Sequence, residues 1–182
     1  ETMLRSSSLA NDNTSMLEVL RSEIPKIEPQ PDLILLLQPT SPLRETIKIK
    51  AAISYLTKGI DKYDSIISVE KVPEKWNPYA MFIEKKVLFR KLIGWKEKIK
   101  SWFTGKKYVM SLSGFPISQR MTRRQDLPEI FIPDGAIYLF KTENLKRGSI
   151  YGKEVMLLAN EGTININSEE DFLQVEEYLK NK

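Results

Sequence analysis

Two residue types that carry much of enzyme chemistry are missing from this sequence of 182 residues, which has no cysteine and no histidine. The first absence excludes disulfides, thiol nucleophiles and cysteine-based zinc sites, and the second excludes a Ser-His triad. Any catalysis must therefore use carboxylates, amides, hydroxyls, lysine and arginine, around a hard cation if a metal takes part.

Long hydrophobic runs are missing as well. The longest aliphatic run, Leu33 to Leu37, has five residues, whereas a membrane-spanning helix needs about 20. Residues 1–8 lack the apolar core of a secretory signal. We therefore expect a cytoplasmic protein with no membrane partner.

The charge is only mildly basic, with 28 lysines and arginines against 24 acidic residues and a net charge of +4. This balance fits an anionic small ligand and is too weak to indicate nucleic acid. Trp95, Ile99 and Trp102 have the spacing of an amphipathic helix rather than of a base-stacking surface. We expect no nucleic-acid partner.

The apolar pattern of the first half predicts an α/β fold. Ser15 and Glu18 have the spacing of a capping box at the start of a helix. The unbroken apolar run after Asp32 predicts a strand covered on both faces, residues 45–56 have helical period, and residues 63–69 predict a second buried strand. We predict a mostly parallel sheet with helices on both faces, in three layers.

The second half returns to this pattern after an irregular stretch. Residues 73–128 show no clear period and predict an arm that leaves the main sheet. Strands are predicted at 135–140, 154–158 and 163–167, followed by a last helix with Ser168 as its N-cap. The length favours one domain over residues 1–182.

Three groups of polar residues are candidates for a site. Gln38, Thr40, Ser41 and Arg44 follow the first strand, where ligands bind in parallel sheets, although a proline-stiffened turn that only caps the next helix is the simpler alternative. Arg120, Arg123 and Arg124 form a cluster able to hold an anion, or a solvated basic loop. Asn165 and Asn167, two apart on a predicted strand, either present oxygens to one cation or lie on an ordinary polar edge.

Taken in order, these segments resemble the acylneuraminate cytidylyltransferase family, which includes the CMP-sialic acid synthetases. The resemblance rests on L-Q-P-T-S-P-L-R at 37–44, R-Q-x-L-P at 124–128, P-x-G-A-I-Y at 133–138 and I-x-I-x-x-E-x-D at 164–171. Upstream, R-x-x-x-L-A-x-D at 5–12 is similar to the segment before the family's first long helix.

The resemblance implies a nucleotidyltransferase that joins CTP to a nonulosonic acid, gives a CMP-sugar and pyrophosphate, and uses Mg²⁺. It implies catalytic roles for Gln38 and Arg124, with the metal at Asn165 and Asn167. It places Arg5 and Ser15 on the nucleotide side and assigns the sugar acid to Gln38, Thr40, Ser41, Arg44, Arg123, Arg124, Gln125 and Tyr138. The irregular stretch corresponds to a dimerisation arm, so the resemblance implies a homodimer.

The sequence departs from the family at three places. Asn165 and Asn167 stand where the family has aspartates, Asp134 stands where asparagine is usual, and Ala80 stands where a basic residue is common. The family's N-terminal strand and phosphate loop have no counterpart before Arg5, so we expect an N-terminally truncated domain. A cytidylyltransferase for ketodeoxyoctonate or a phosphonate, and an inactive binding protein of the same fold, remain alternatives.

Overall fold

The structure is a computed structural model that describes residues 2–85, 108–111, 124–160 and 162–181. The chain divides into two compact units, the first formed by residues 1–70 and 132–182 and the second by residues 71–131. The first unit holds the main sheet and most of the predicted site.

Four strands form the main sheet, with bounds Leu33–Leu36 for β1, Ser65–Lys71 for β2, Phe131–Lys141 for β5 and Val155–Ala159 for β6. Their order in the sheet is β1-β5-β2-β6. Strands β2 and β6 are parallel, with Ser65 opposite Val155, and β1 and β5 are antiparallel, with Leu36 opposite Tyr138. The α/β class is thus confirmed.

The sheet is mixed because β5 runs against its neighbours. The Lys141 amide donates to the Asp64 carbonyl while Ser68 bonds Ile137, so β5 also runs opposite to β2. The prediction of a mostly parallel sheet is right for β1, β2 and β6 and wrong for β5. A strand buried on both faces is apolar throughout in either direction, so its sequence does not report the direction.

Helices cover both faces of this sheet, as predicted. Helix α2 (Thr46–Lys58) packs Ala52 and Leu56 against Ile66 and Ile137 on one face. On the other face, a second cluster joins α1 (Met16–Glu23) and α3 (Glu143–Lys146) to β1 and β5 through Leu20, Ile34, Phe140 and Leu145. Burial of these side chains from water stabilises the three layers.

The last helix, α4 (Glu169–Lys180), begins where the sequence predicted it. The Ser168 side chain accepts from the Asp171 amide, and the Asp171 carboxylate accepts from the Ser168 amide in return. Across the part of the chain that the structure describes, no helix is long and apolar enough to span a membrane.

The second unit contains an antiparallel pair, β3 (Phe82–Lys85) and β4 (Tyr108–Ser111), and a 3-10 turn at Arg124–Asp126. Residues 86–107 and 112–123, which include Trp95, Ile99, Trp102, Arg120 and Arg123, lie outside the described residues. A dimerisation role for this arm stays a prediction.

Candidate active site

The turn that follows β1 lies at one edge of the main sheet. The Ser41 amide donates to the Gln38 carbonyl at 3.1 Å and closes the turn. Ser41 is buried, Gln38 is half-buried and Thr40 is exposed. Because β1, β2 and β6 share one direction, this turn lies at the edge where their carboxyl ends meet the start of β5, which is where α/β proteins bind ligands.

Arg44 ties the turn to β5. Its Nε donates to the Ala136 carbonyl at 2.7 Å, and its Nη2 is buried without a hydrogen-bond partner among the described residues. Burial lowers the pKa of the Arg44 guanidinium, and the attraction of Asp134 opposes this shift. Arg44 therefore holds the turn in place, and its role toward a ligand stays a prediction.

Asn165 holds the same turn from another segment. Its Oδ1 accepts from the Ser41 hydroxyl and its Nδ2 donates to the Asp134 carbonyl. One residue on, the Ile166 amide donates to the Thr40 carbonyl at 2.8 Å. The Ser41 hydroxyl and the Asn165 side-chain amide are thus both used to hold the turn in place.

The predicted strand at 163–167 is not formed. Those residues form no β-ladder, and the Asn167 amide donates to the Asp171 carboxylate at 2.9 Å. The side chain of Asn167 is exposed, whereas that of Asn165 is committed to Ser41 and Asp134. The argument that both amides share one face of a strand therefore fails.

These residues do not fit a divalent cation as they stand. Both polar atoms of the Asn165 amide are already hydrogen-bonded, and within the described ranges no three acidic side chains are grouped to hold a metal. Mg²⁺ binds mainly through carboxylates and water. The magnesium expectation stays a prediction.

A buried polar centre at Asp134 was not found from the sequence. Asp134 is 5% exposed. Its Oδ1 accepts from the Ser68 hydroxyl at 2.5 Å and the Ala136 amide at 3.0 Å, and its Oδ2 accepts from the Asn160 amide group at 2.5 Å and the Thr163 hydroxyl at 3.2 Å. The sequence signal that could have indicated this centre is the presence of polar residues at or next to the ends of three predicted apolar strands.

Tyr138 lies on the helix α1 side of the sheet, half-buried against the second apolar cluster. Burial raises the pKa of its phenol, and the nearby Tyr151 and Asp134 add to the shift. The phenol therefore stays protonated at neutral pH and can serve as a hydrogen-bond donor.

The two residues predicted on the nucleotide side differ in their engagement. Arg5 is exposed. Ser15 is the N-cap of α1, where its hydroxyl accepts from the Glu18 amide at 3.2 Å and donates to the Glu18 carboxylate at 2.9 Å. The pKa of Glu18 is lowered mainly because its carboxylate accepts the Ser15 backbone amide. The capping box is confirmed, and contact with a nucleotide stays a prediction.

The arginine cluster belongs to the second unit. Arg124 begins the 3-10 turn and Gln125 is exposed there, whereas Arg123 lies outside the described residues. Their roles toward a ligand stay predictions.

Comparison with solved structures shows the class of fold to which this chain belongs. The structure superposes with a TM-score of 0.57 on CMP:2-keto-3-deoxy-manno-octonic acid synthetase solved with CTP, at 12% identity over 93% of this chain and 70% of that one. A 4-diphosphocytidyl-2C-methyl-D-erythritol synthase from Anaerococcus prevotii gives 0.51, at 13% identity over 92% and 68%. The chain therefore has the α/β fold of the cytidylyltransferases.

Within that class, the chain is similar to N-acylneuraminate cytidylyltransferases of Streptococcus agalactiae. It is 26% identical over 177 residues to the protein of serotype III strain NEM316 and 25% identical to that of serotype V strain ATCC BAA-611 / 2603 V/R. The resemblance read from the motifs is thus confirmed. The match covers 95% of this chain and 36% of the first relative, so the chain spans about a third of its length. No protein-family model matches the chain.

Proposed function

We propose that this chain is part of a cytidylyltransferase that joins CTP to a nonulosonic acid and releases pyrophosphate. The observation that carries the proposal is the Gln38–Arg44 turn, which Asn165, Ile166 and Arg44 fix at the ligand-binding edge of a cytidylyltransferase fold. The named activity of the streptococcal relatives supports the choice of a sialic-type acid.

The reaction is a substitution at phosphorus. The anomeric hydroxyl oxygen of the sugar acid forms a bond to the α-phosphorus of CTP, the bond from that phosphorus to the bridging oxygen breaks, and pyrophosphate leaves with its electron pair. The hydroxyl proton passes to water. Positioning and charge stabilisation dominate such transfers, which agrees with a chain that has no cysteine or histidine.

The exposed side of the turn supplies the groups for the sugar acid in this proposal. The half-buried Gln38 offers an amide and Thr40 a hydroxyl, both suited to sugar hydroxyls. Arg44 and Ser41 face the protein and keep the turn rigid, so that the two outer side chains are held in place before a ligand arrives.

The test is pyrophosphate release from CTP with N-acetylneuraminic acid, a ketodeoxyoctonate or a phosphonate as acceptor. We expect the first to react fastest. Gln38→Ala should raise its KM about tenfold, the loss of one good hydrogen bond of about 1.4 kcal/mol, without changing the KM for CTP. The control is Gln30→Ala, an exposed glutamine outside the turn.

Faster turnover of another acceptor would move the activity to the alternative cytidylyltransferases. If the whole protein of which this chain is part folds but releases no pyrophosphate with any acceptor, the proposal is contradicted and a binding protein is favoured. An equal KM effect of both glutamine variants would remove Gln38 from the site.

A further inference from the structure

The carboxylate of Asp134 is surrounded by hydrogen-bond donors. Ser68 Oγ accepts the Ile137 amide at 2.7 Å, and its own hydrogen has two acceptors, Asp134 Oδ1 at 2.5 Å and the Ile137 carbonyl at 3.2 Å, of which the carboxylate oxygen is nearer. The other three groups at the carboxylate are N–H or O–H donors from Ala136, Asn160 and Thr163. The Ala136 amide and the Asn160 NH₂ group can only donate, so each oxygen of Asp134 faces at least one obligate donor, whereas an amide in this place would present its own NH₂ group to one of them.

Lys48 of helix α2 fixes the orientation of one of those donors. Its Nζ lies 2.6 Å from Asn160 Oδ1, and an ammonium group only donates. Asn160 is 3% exposed. Its amide must therefore turn its oxygen to Lys48 and its NH₂ to Asp134, and it cannot flip while the lysine is present.

The segment that Asp134 anchors is the one that holds the ligand turn. Thr163 bonds the Asp134 carboxylate, Asn165 bonds the Asp134 carbonyl and Ser41, and Ile166 bonds Thr40. No hydrogen bond joins Asp134, Asn160 or Lys48 directly to the turn among the described residues. Their influence on Thr40 and Ser41 passes through residues 163–166, whereas Asp134 also acts on Arg44 through its charge and through Ala136.

We propose that Asp134, Asn160 and Lys48 form a hydrogen-bond chain of fixed polarity that positions the Thr40–Ser41 turn for the sugar acid. The link to a sugar acid rests on the proposed function, whereas the link to the turn rests only on the contacts. Asp134 is a positioning residue in this scheme. In Asp134→Asn, the new NH₂ group faces the NH₂ group of Asn160, and two donors cannot bond each other. A flip of the Asn160 amide would remove this conflict, but Lys48 blocks the flip.

The test is a double-mutant cycle of Asp134→Asn and Lys48→Met, read by hydrogen exchange of the Ile166 amide. We expect Asp134→Asn to speed this exchange at least tenfold when Lys48 is present and less than threefold in the Lys48→Met chain, where Asn160 is free to flip. Asp134→Asn also removes the negative charge that attracts Arg44, but it does so with and without Lys48, so this effect cancels in the double-mutant cycle. The Leu56 amide, inside α2 at a fully buried residue, reports global unfolding and should change far less.

Additive effects of the two substitutions, or equal acceleration at Ile166 and Leu56, would overturn the proposal. If Asp134→Asn does not fold, Lys48→Met alone should still speed Ile166 exchange about threefold, because Asn160 is no longer held in one orientation. Its matched control is Lys50→Met at an exposed position of the same helix. An unchanged exchange rate of the Ile166 amide in the Lys48→Met protein would then reject the proposed hydrogen-bond chain.

The kinetic counterpart is a rise of about tenfold in the KM for N-acetylneuraminic acid in Asp134→Asn, with kcat and the KM for CTP unchanged. An equal change in all three parameters would reject a positioning role. The hydrogen-exchange measurement needs no substrate, so the two proposals can fail separately. Absence of all activity would count against the proposed function. Intact activity without coupling between the Asp134 and Lys48 substitutions would count against this inference alone.

Discussion

Gly135 shows how closely the site is packed at the scale of single residues. Its φ of +76° is rarely adopted by residues with a side chain, and a Cβ atom there would lie 2.7 Å from Asn165 Nδ2. The glycine therefore does two things: it lets β5 adopt this backbone conformation directly after Asp134, and it leaves room for the amide that holds Ser41.

We predict that Gly135→Ala lowers the free energy of unfolding by about 2–3 kcal/mol, from backbone strain of about 1 kcal/mol and displacement of a buried hydrogen-bonded amide. Urea denaturation measures it. Gly148→Ala is the control, since its φ is +73° and nothing lies within 4 Å of the added Cβ. Equal losses in the two variants would show that Asn165 is not displaced.

Asp64 gives the protein a pH-dependent contribution to stability. Its pKa lies below the ordinary 3.8, first because the carboxylate accepts the Lys153 and Glu154 amides, and further because of Lys141. A carboxylate with a lowered folded-state pKa stabilises the fold above its unfolded pKa and loses this contribution as pH falls through the folded value.

We therefore predict that Asp64→Asn lowers the free energy of unfolding by about 1–2 kcal/mol at neutral pH, and that the difference from the parent shrinks below about pH 4. Urea denaturation at several pH values measures it. The exposed Asp61→Asn is the control and should change stability by less than about 0.5 kcal/mol. A difference that stayed constant down to pH 2 would refute the linkage.

At the scale of elements, local patterns located most of the fold. The helices at Ser15 and Ser168 begin at the predicted caps, because a capping box is complete within four residues. The segment at 163–167 was wrongly predicted as a strand, since alternation describes the side chains and not whether a neighbouring strand is there to pair. Its amides bond Thr40 and Asp171 instead.

The N-cap of α1 can be tested directly. Ser15→Ala should lower the free energy of unfolding by about 1 kcal/mol, because the Glu18 amide loses its acceptor. Ser15→Thr keeps the hydroxyl and should stay within about 0.5 kcal/mol of the parent. Thermal or urea unfolding of the parent and the two variants measures these differences. An unchanged free energy of unfolding in the alanine variant would mean that the hydroxyl does not stabilise the helix.

At the scale of the whole molecule, the site was only half predictable. The Gln38–Arg44 turn follows a buried strand, so its place at a sheet edge could be read from the sequence. Ser68, Asp134 and Asn160 meet only through the order β5-β2-β6, which joins residues 66 and 26 positions apart. No local pattern reports such pairing, because it depends on which strands become neighbours.

The central proposal is that this chain belongs to a protein that transfers a cytidylyl group from CTP to a nonulosonic acid. The most direct measurement is mass spectrometry of the products that the whole folded protein forms from CTP and N-acetylneuraminic acid. The proposal predicts a CMP-sugar ester and pyrophosphate in equal amounts, with none when either substrate is left out. A protein that binds CTP and the sugar acid but forms no such ester would contradict it.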